Sequence, residues 1–118
     1  MPLRISDTEQ LSSLKDVSEE YLIFYSSVTE SGELWCPDCR DVDPTVIEIF
    51  GPSDGPEALI IYVGQKTEWK RPANNRFRGE PWWIESIPTV IKVRDSEEVG
   101  RLVDSQVKDH LASFVSEG

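Results

Sequence analysis

The spacing of apolar positions changes along the chain, and each change marks an element. Leu11, Leu14 and Val17 recur at helical spacing behind Ser6 and Glu9, a capping pattern, and predict a helix over residues 7–17. Residues 21–26 are an aromatic and aliphatic run closed by Ser26, which predicts a buried strand. The stretch from Val28 to Leu34 is polar, contains Gly32, and reads as a loop. Cys39, Val42, Val46, Ile49 and Phe50 then share one face of a helix starting near Cys36, with Pro44 inside it and placed to kink it. Residues 51–56, rich in Gly and Pro, break that pattern. Residues 58–63 form a second continuous apolar strand, and residues 64–86 are irregular. Residues 89–93 and 99–103 predict two strands, the second turning back on the first. Asp104 is placed to cap a last helix whose apolar face carries Val107, Leu111, Phe114 and Val115. Residues 3–5 can add a short strand.

This order is α, β, α, β, insert, β, β, α. It predicts an α/β fold in which one sheet carries helices on both faces, with an insert after the second central strand. The two unbroken apolar strands suit central parallel positions, covered on both sides. With 118 residues the chain is read as one domain spanning 1–118.

Charge narrows the function. The net charge is −10, the opposite of the Lys/Arg field that nucleic acid or an anionic membrane surface requires. The longest apolar runs are too short to cross a bilayer, and the first residues lack the apolar core of a secretory signal. The expectation is a protein of a soluble, reducing compartment, in which two cysteines are redox-active or metal-binding rather than structural. One segment departs from the acidic background. Between Gln65 and Glu80, Lys66, Lys70, Arg71, Arg76 and Arg78 outnumber Glu68 and Glu80.

The chemistry concentrates in Trp35-Cys36-Pro37-Asp38-Cys39, where a strand and loop lead into a helix opened by Cys-x-x-Cys. A free thiol near pKa 8.5 is only about 3% ionised at neutral pH. The first turn of a helix offers unpaired N–H groups and the positive end of its dipole, which favour a thiolate. Cys36, at the exposed start of that turn, is the expected nucleophile. Cys39, one turn in and on the apolar face, is the expected resolving thiol. Pro37 suits an early helical position, where its missing donor is not needed. Asp38 opposes the dipole by like-charge repulsion. The competing readings are weaker. A disulfide across two residues closes almost no loop and stabilises little. A zinc site needs four ligands, and only His110 remains as a strong further donor. An inert pair is the third reading.

The run Trp35-Cys36-Pro37-Asp38-Cys39 resembles the signature of the small cytosolic thioredoxin-related proteins of about 14 kDa. Pro44 stands five residues after Cys39, where thioredoxins also carry a helix proline. Val63-Gly64-Gln65, Trp69-Lys70 and the run from Pro72 through Asn74, Asn75 and Phe77 to Arg78 resemble that family's insert. Ile87-Pro88-Thr89 resembles the thioredoxin cis-proline turn. The resemblance implies a thioredoxin fold with a mixed sheet, and a dithiol–disulfide reductase, monomeric and cytoplasmic. Such a protein would hold no bound cofactor, and thioredoxin reductase would return electrons to it from NADPH. Substrates would be protein disulfides and small disulfides such as cystine. Pro88 would be cis against the cysteines, and the Ile87 backbone would pair with the substrate chain. Thioredoxins also place a buried Asp in the strand before the cysteines. Here that strand has no carboxylate, and Asp38 is the expected substitute.

Further site expectations are weaker. Trp35 is read as shielding the thiolate and touching substrate. Trp69 is read as a substrate contact within a basic surface that steers anionic disulfides, or as cover for the core. Trp82 and Trp83 are read as packing beside the cis-proline strand, and His110 as a surface residue. Two rival functions remain. A glutaredoxin-like, glutathione-dependent enzyme needs a Gly-Gly turn after the cis-proline strand, where this chain has Arg94-Asp95-Ser96-Glu97. A redox-sensing adaptor would show no turnover.

Overall fold

The computed structural model describes residues 3–5, 11, 13–71, 73 and 75–116. Strand β2 (Tyr21–Tyr25) is buried at every position, and β3 (Ala58–Tyr62) at all but its last. They pair in parallel from Tyr21 opposite Ala58 to Tyr25 opposite Tyr62. Helix α1 (Pro37–Phe50) makes the crossover between them, as parallel neighbours require. Strand β1 (Leu3–Ile5) adds in parallel to the outer side of β3. Strands β4 (Thr89–Arg94) and β5 (Glu97–Val103) extend the other side antiparallel. The order β1-β3-β2-β4-β5 is a mixed five-stranded sheet.

Side-chain alternation along β2 assigns the two faces. Tyr21 packs on Phe50 of α1, centroids 5.3 Å apart, and on Phe114 of the last helix, α3 (Ser105–Ser116). Phe24 points the other way, into an aromatic cluster with Phe77 and Trp82 of the insert. The insert supplies a short helix, α2 (Lys66–Trp69), and a 3₁₀ turn, Arg76–Arg78. Helical elements thus cover both faces. On α1, Cys39, Val42, Val46 and Phe50 are buried, each large apolar side chain worth roughly 1.5–3 kcal/mol. The helix runs through Pro44, giving up the one bond that its missing N–H would make.

Three expectations are revised. Of the N-terminal helix, residues 7–10 and 12 and the Ser6 cap lie outside the described residues; its C-terminal part is a 3₁₀ turn, Leu14–Asp16, capped by Ser13. The β4–β5 turn is tighter than its sequence signals. Asp95 and Ser96 take φ values of 53° and 64°, the positive pair that a two-residue hairpin demands, without the glycine that usually marks it. A register shift between Lys92 and Val93 then sets Gly100 against Phe114. A Cβ on Gly100 would lie 3.0 Å from that ring. Asp104 precedes α3 with φ 56°, and its backbone carbonyl, not a side-chain cap, takes the Val107 N–H.

Candidate functional site

The site forms where β2 ends and α1 begins. Cys36 is the last extended residue before α1, with φ −87° and ψ 118°, and its side chain makes no capping bond. Pro37 opens the helix. The Cys36 backbone N–H donates to the Ser26 hydroxyl at 3.1 Å, tying the thiol's backbone to the end of β2. The Cys36 carbonyl accepts the Arg40 N–H, so the first helical bond is made there. The Cys36 thiol faces the Ile87 carbonyl, with Sγ 3.8 Å from that oxygen. The Ile87–Pro88 peptide is cis, as is Glu80–Pro81, which the sequence did not mark. Cys36, Cys39, Ile87 and Pro88 therefore stand together.

Neighbouring segments hold this arrangement. The half-buried Trp35 donates its indole N–H to the Gly64 carbonyl at 2.8 Å. That same carbonyl accepts the Ser27 N–H, and the Gly64 N–H donates to the Ser27 hydroxyl. Gly64 has φ 115°, and a Cβ there would press on Glu68 at 3.2 Å. Arg40 reaches back to the Leu34 carbonyl and closes the loop before the cysteines. Beyond Gly64 lies an open cleft of about 840 Å³, lined among others by Tyr62, Glu68, Arg71, Asn75 and Phe77 and by neither cysteine.

Both cysteines are unpaired thiols. Cys36 is less open than its place at a helix start predicts. It is 7% exposed, because Ile87 and the preceding loop close over it. Cys39 is wholly buried. Burial pushes the Cys39 thiol well up, the Ser26 backbone N–H pulls it down, and the Cys36 sulfur pushes it up again. The pair is asymmetric: Cys36 keeps a sliver of exposed surface, and Cys39 must lose its proton inside the protein.

Several expected residues take other roles. Asp38 is exposed and is not among the groups that act on Cys39. The carboxylate one turn deeper, Asp43, lies instead beside Tyr25 and Tyr62. Trp69 is 7% exposed, with the Arg78 guanidinium stacked 3.8 Å above its ring, and so offers little surface to a substrate. Arg76 lies over Phe77 and donates to the Leu11 carbonyl. Two of the five basic residues thus hold the insert down, while Lys66, Lys70 and Arg71 remain exposed. Trp82 is buried, but Trp83 is exposed. His110 is exposed on α3. As site residues, Ser26, Tyr25 and Asp43 escaped the sequence reading, and Gly64 entered it only within the insert's signature. Of these only Asp43 had a usable signal, the four-residue helical step from Cys39. Among the described residues no group of three or more His, Cys, Asp or Glu could hold a metal ion, and no helix is long and apolar enough to cross a membrane.

Known proteins share this architecture. The chain is similar to a poplar thioredoxin h, with a TM-score of 0.60 at 20% identity over 99% of this chain and 96% of that one. It matches equally well, at 14% identity over 98% and 94% of the chains and a TM-score of 0.60, a chain of a crystal structure of ferredoxin:thioredoxin reductase with thioredoxin f2. These likenesses establish the thioredoxin fold. In sequence it is 33% identical over 87 residues to human thioredoxin domain-containing protein 17, covering 73% of this chain and 67% of the human protein. It is 31% identical over 91 residues to the rice thioredoxin-like protein Clot, covering 72% of this chain and 63% of the rice protein. The family profile described as thioredoxin domain-containing protein 17-like, thioredoxin domain, matches residues 5–117. With that match over nearly its whole length, and the Cys-x-x-Cys helix start in place, the chain belongs to the thioredoxin domain-containing protein 17-like family.

Proposed function

We propose that this chain is a thiol–disulfide oxidoreductase that reduces protein disulfides and small disulfides such as cystine. Cys36 attacks one sulfur of the substrate disulfide, forms a mixed disulfide and expels the other as a thiolate. Cys39 then attacks Cys36, closes the Cys36–Cys39 disulfide and frees the second substrate thiol. Two electrons pass from the dithiol to the substrate. Thioredoxin reductase restores the dithiol at the expense of NADPH, and the protein works as a cytoplasmic monomer.

One observation carries this reading: an unpaired Cys36 at the start of α1, its sulfur 3.8 Å from a main-chain carbonyl, with Cys39 one turn deeper. The Ile87 backbone borders the thiol of the less buried cysteine, so a substrate chain laid along it brings its disulfide to Cys36. Family membership supports the dithiol chemistry. The structural neighbour named with ferredoxin:thioredoxin reductase supports a reductase as electron donor.

The test couples the protein to NADPH and thioredoxin reductase, with cystine, insulin and glutathione mixed disulfides as substrates. Cystine and insulin should be turned over, Cys36→Ser should abolish turnover, and Cys39→Ser should accumulate a mixed disulfide on Cys36. Turnover retained by Cys36→Ser would remove the proposal. A wild-type protein that cycles between dithiol and disulfide without turnover would make it a redox-sensing adaptor.

A further inference from the structure

The buried resolving thiol needs somewhere to send its proton. Cys39 is wholly buried, so solvent does not reach it in the folded state. On the neighbouring strand, Tyr25 ends β2 on the face turned to α1, in register with Tyr62 of β3. The Tyr25 hydroxyl is buried and makes no hydrogen bond of ordinary length in this structure. It lies within electrostatic reach of both the Cys39 sulfur and the Asp43 carboxylate. Asp43 follows Cys39 by four residues on α1, so the two side chains are neighbours on one helix face. Asp43 is half-buried, forms no ion pair among the described residues, and is the carboxylate that acts on both Tyr25 and Tyr62. A buried phenol without an ordinary hydrogen bond thus lies near both a buried thiol and a carboxylate that forms no ion pair among the described residues.

We propose that Asp43 is the acceptor of the Cys39 proton, and that Tyr25 relays it. This rests on the dithiol reading above and names the proton path within it. Once the mixed disulfide has formed on Cys36, the Tyr25 hydroxyl passes its proton to Asp43 and takes that of Cys39. The Cys39 thiolate attacks the Cys36 sulfur. The Cys36–substrate bond breaks, and the departing substrate thiolate takes up a proton from solvent. Asp43 later returns its own proton to solvent, so protons and electrons both balance. The titratable groups facing this path are Cys36 just before α1, Cys39 on α1, Tyr25 on β2 and Tyr62 on β3; the Ser26 N–H stabilises the Cys39 thiolate. Asp43 and Tyr25 are positioning residues, because they act through Cys39 and touch no substrate.

The two chemical steps can be watched separately. One equivalent of a chromogenic bis(nitrothiobenzoate) disulfide releases a first coloured thiolate when Cys36 attacks and a second when Cys39 resolves. Asp43→Asn should leave the first phase within about twofold and slow the second at neutral pH by at least ~10-fold, the loss of a positioned proton acceptor. The pH profile separates this from a packing defect. The wild-type second phase should be flat across neutral pH, while that of Asp43→Asn should climb about tenfold per pH unit as hydroxide takes over. Asp43→Glu should restore the flat profile, and Tyr25→Phe should reproduce the slow one. An unchanged second phase in Asp43→Asn overturns the proposal, and a wild-type profile in Tyr25→Phe overturns the relay. Absence of a first phase in the wild-type protein overturns the dithiol reading instead.

Discussion

Trp82 is 2% exposed and Trp83 is 56% exposed, although they are adjacent and identical in type. Trp82 fills the aromatic cluster with Phe24 and Phe77. Trp83 sits at φ 50°, in the left-handed region, and the Arg101 guanidinium fixes the segment by donating to both tryptophan carbonyls. Trp82→Ala should therefore cost ~3–5 kcal/mol in urea unfolding. Trp83→Gly should leave stability unchanged or raise it by up to ~1 kcal/mol, because glycine enters that region without strain. No sequence pattern separates the two, since an irregular insert has no period to set one inside and one out. The same limit governs the acidic residues. Asp38 is nearest to the cysteines along the chain, whereas Asp43, a helical turn beyond Cys39, is the carboxylate that acts on Tyr25 and Tyr62 of the sheet. The thiols themselves were legible because their chemistry is local: two residues of spacing and one helix start.

Elements with a fully buried run or stripe were the easiest to recognise. β2, β3 and α1 follow their expected spans closely, because burial forced an unbroken apolar run or a helical stripe. The β4–β5 hairpin was harder, since its turn uses Asp95 and Ser96 and its register shifts near a lysine. Lys92 lies inside β4 and is 7% exposed. Its ammonium donates to the Phe114 carbonyl at 2.6 Å and sits over the Phe114 ring, 4.5 Å from the centroid. Tyr21 donates to the next carbonyl, Val115. The sheet thus supplies the donors that the last turn of α3 cannot find within itself. Lys92→Met keeps the stem and removes the charge. It should lower stability by about 1.5–3 kcal/mol, the range for a hydrogen bond to a charged group. Amide exchange should quicken at the end of α3 and not in α1; uniform quickening would show that Lys92 serves the whole core.

Across the molecule, the acid response has an identifiable component. Glu19 is buried and pairs with Arg4 of the edge strand β1. Burial pushes its carboxyl up, but the Arg4 guanidinium and the Ser18 and Glu19 backbone N–H groups outweigh that and hold it below its ordinary range. The folded state therefore binds this proton less readily than the unfolded chain does. The resulting stabilisation is complete above the ordinary Glu pKa of about 4.3 and disappears as pH falls through the lower, folded value. The stability gap between wild type and Glu19→Gln should be constant near neutrality and close on acidification; a gap independent of pH would remove Glu19 from the acid response. The bond between Trp35 and Gly64 spans 29 residues, and the contact between Cys36 and Ile87 spans 51. Five consecutive residues can be transplanted to the start of any helix. The carbonyl facing the sulfur, the glycine under the indole and the serine behind the thiol come from three other segments and would stay behind. The motif is portable, and the reaction centre is a property of the whole fold.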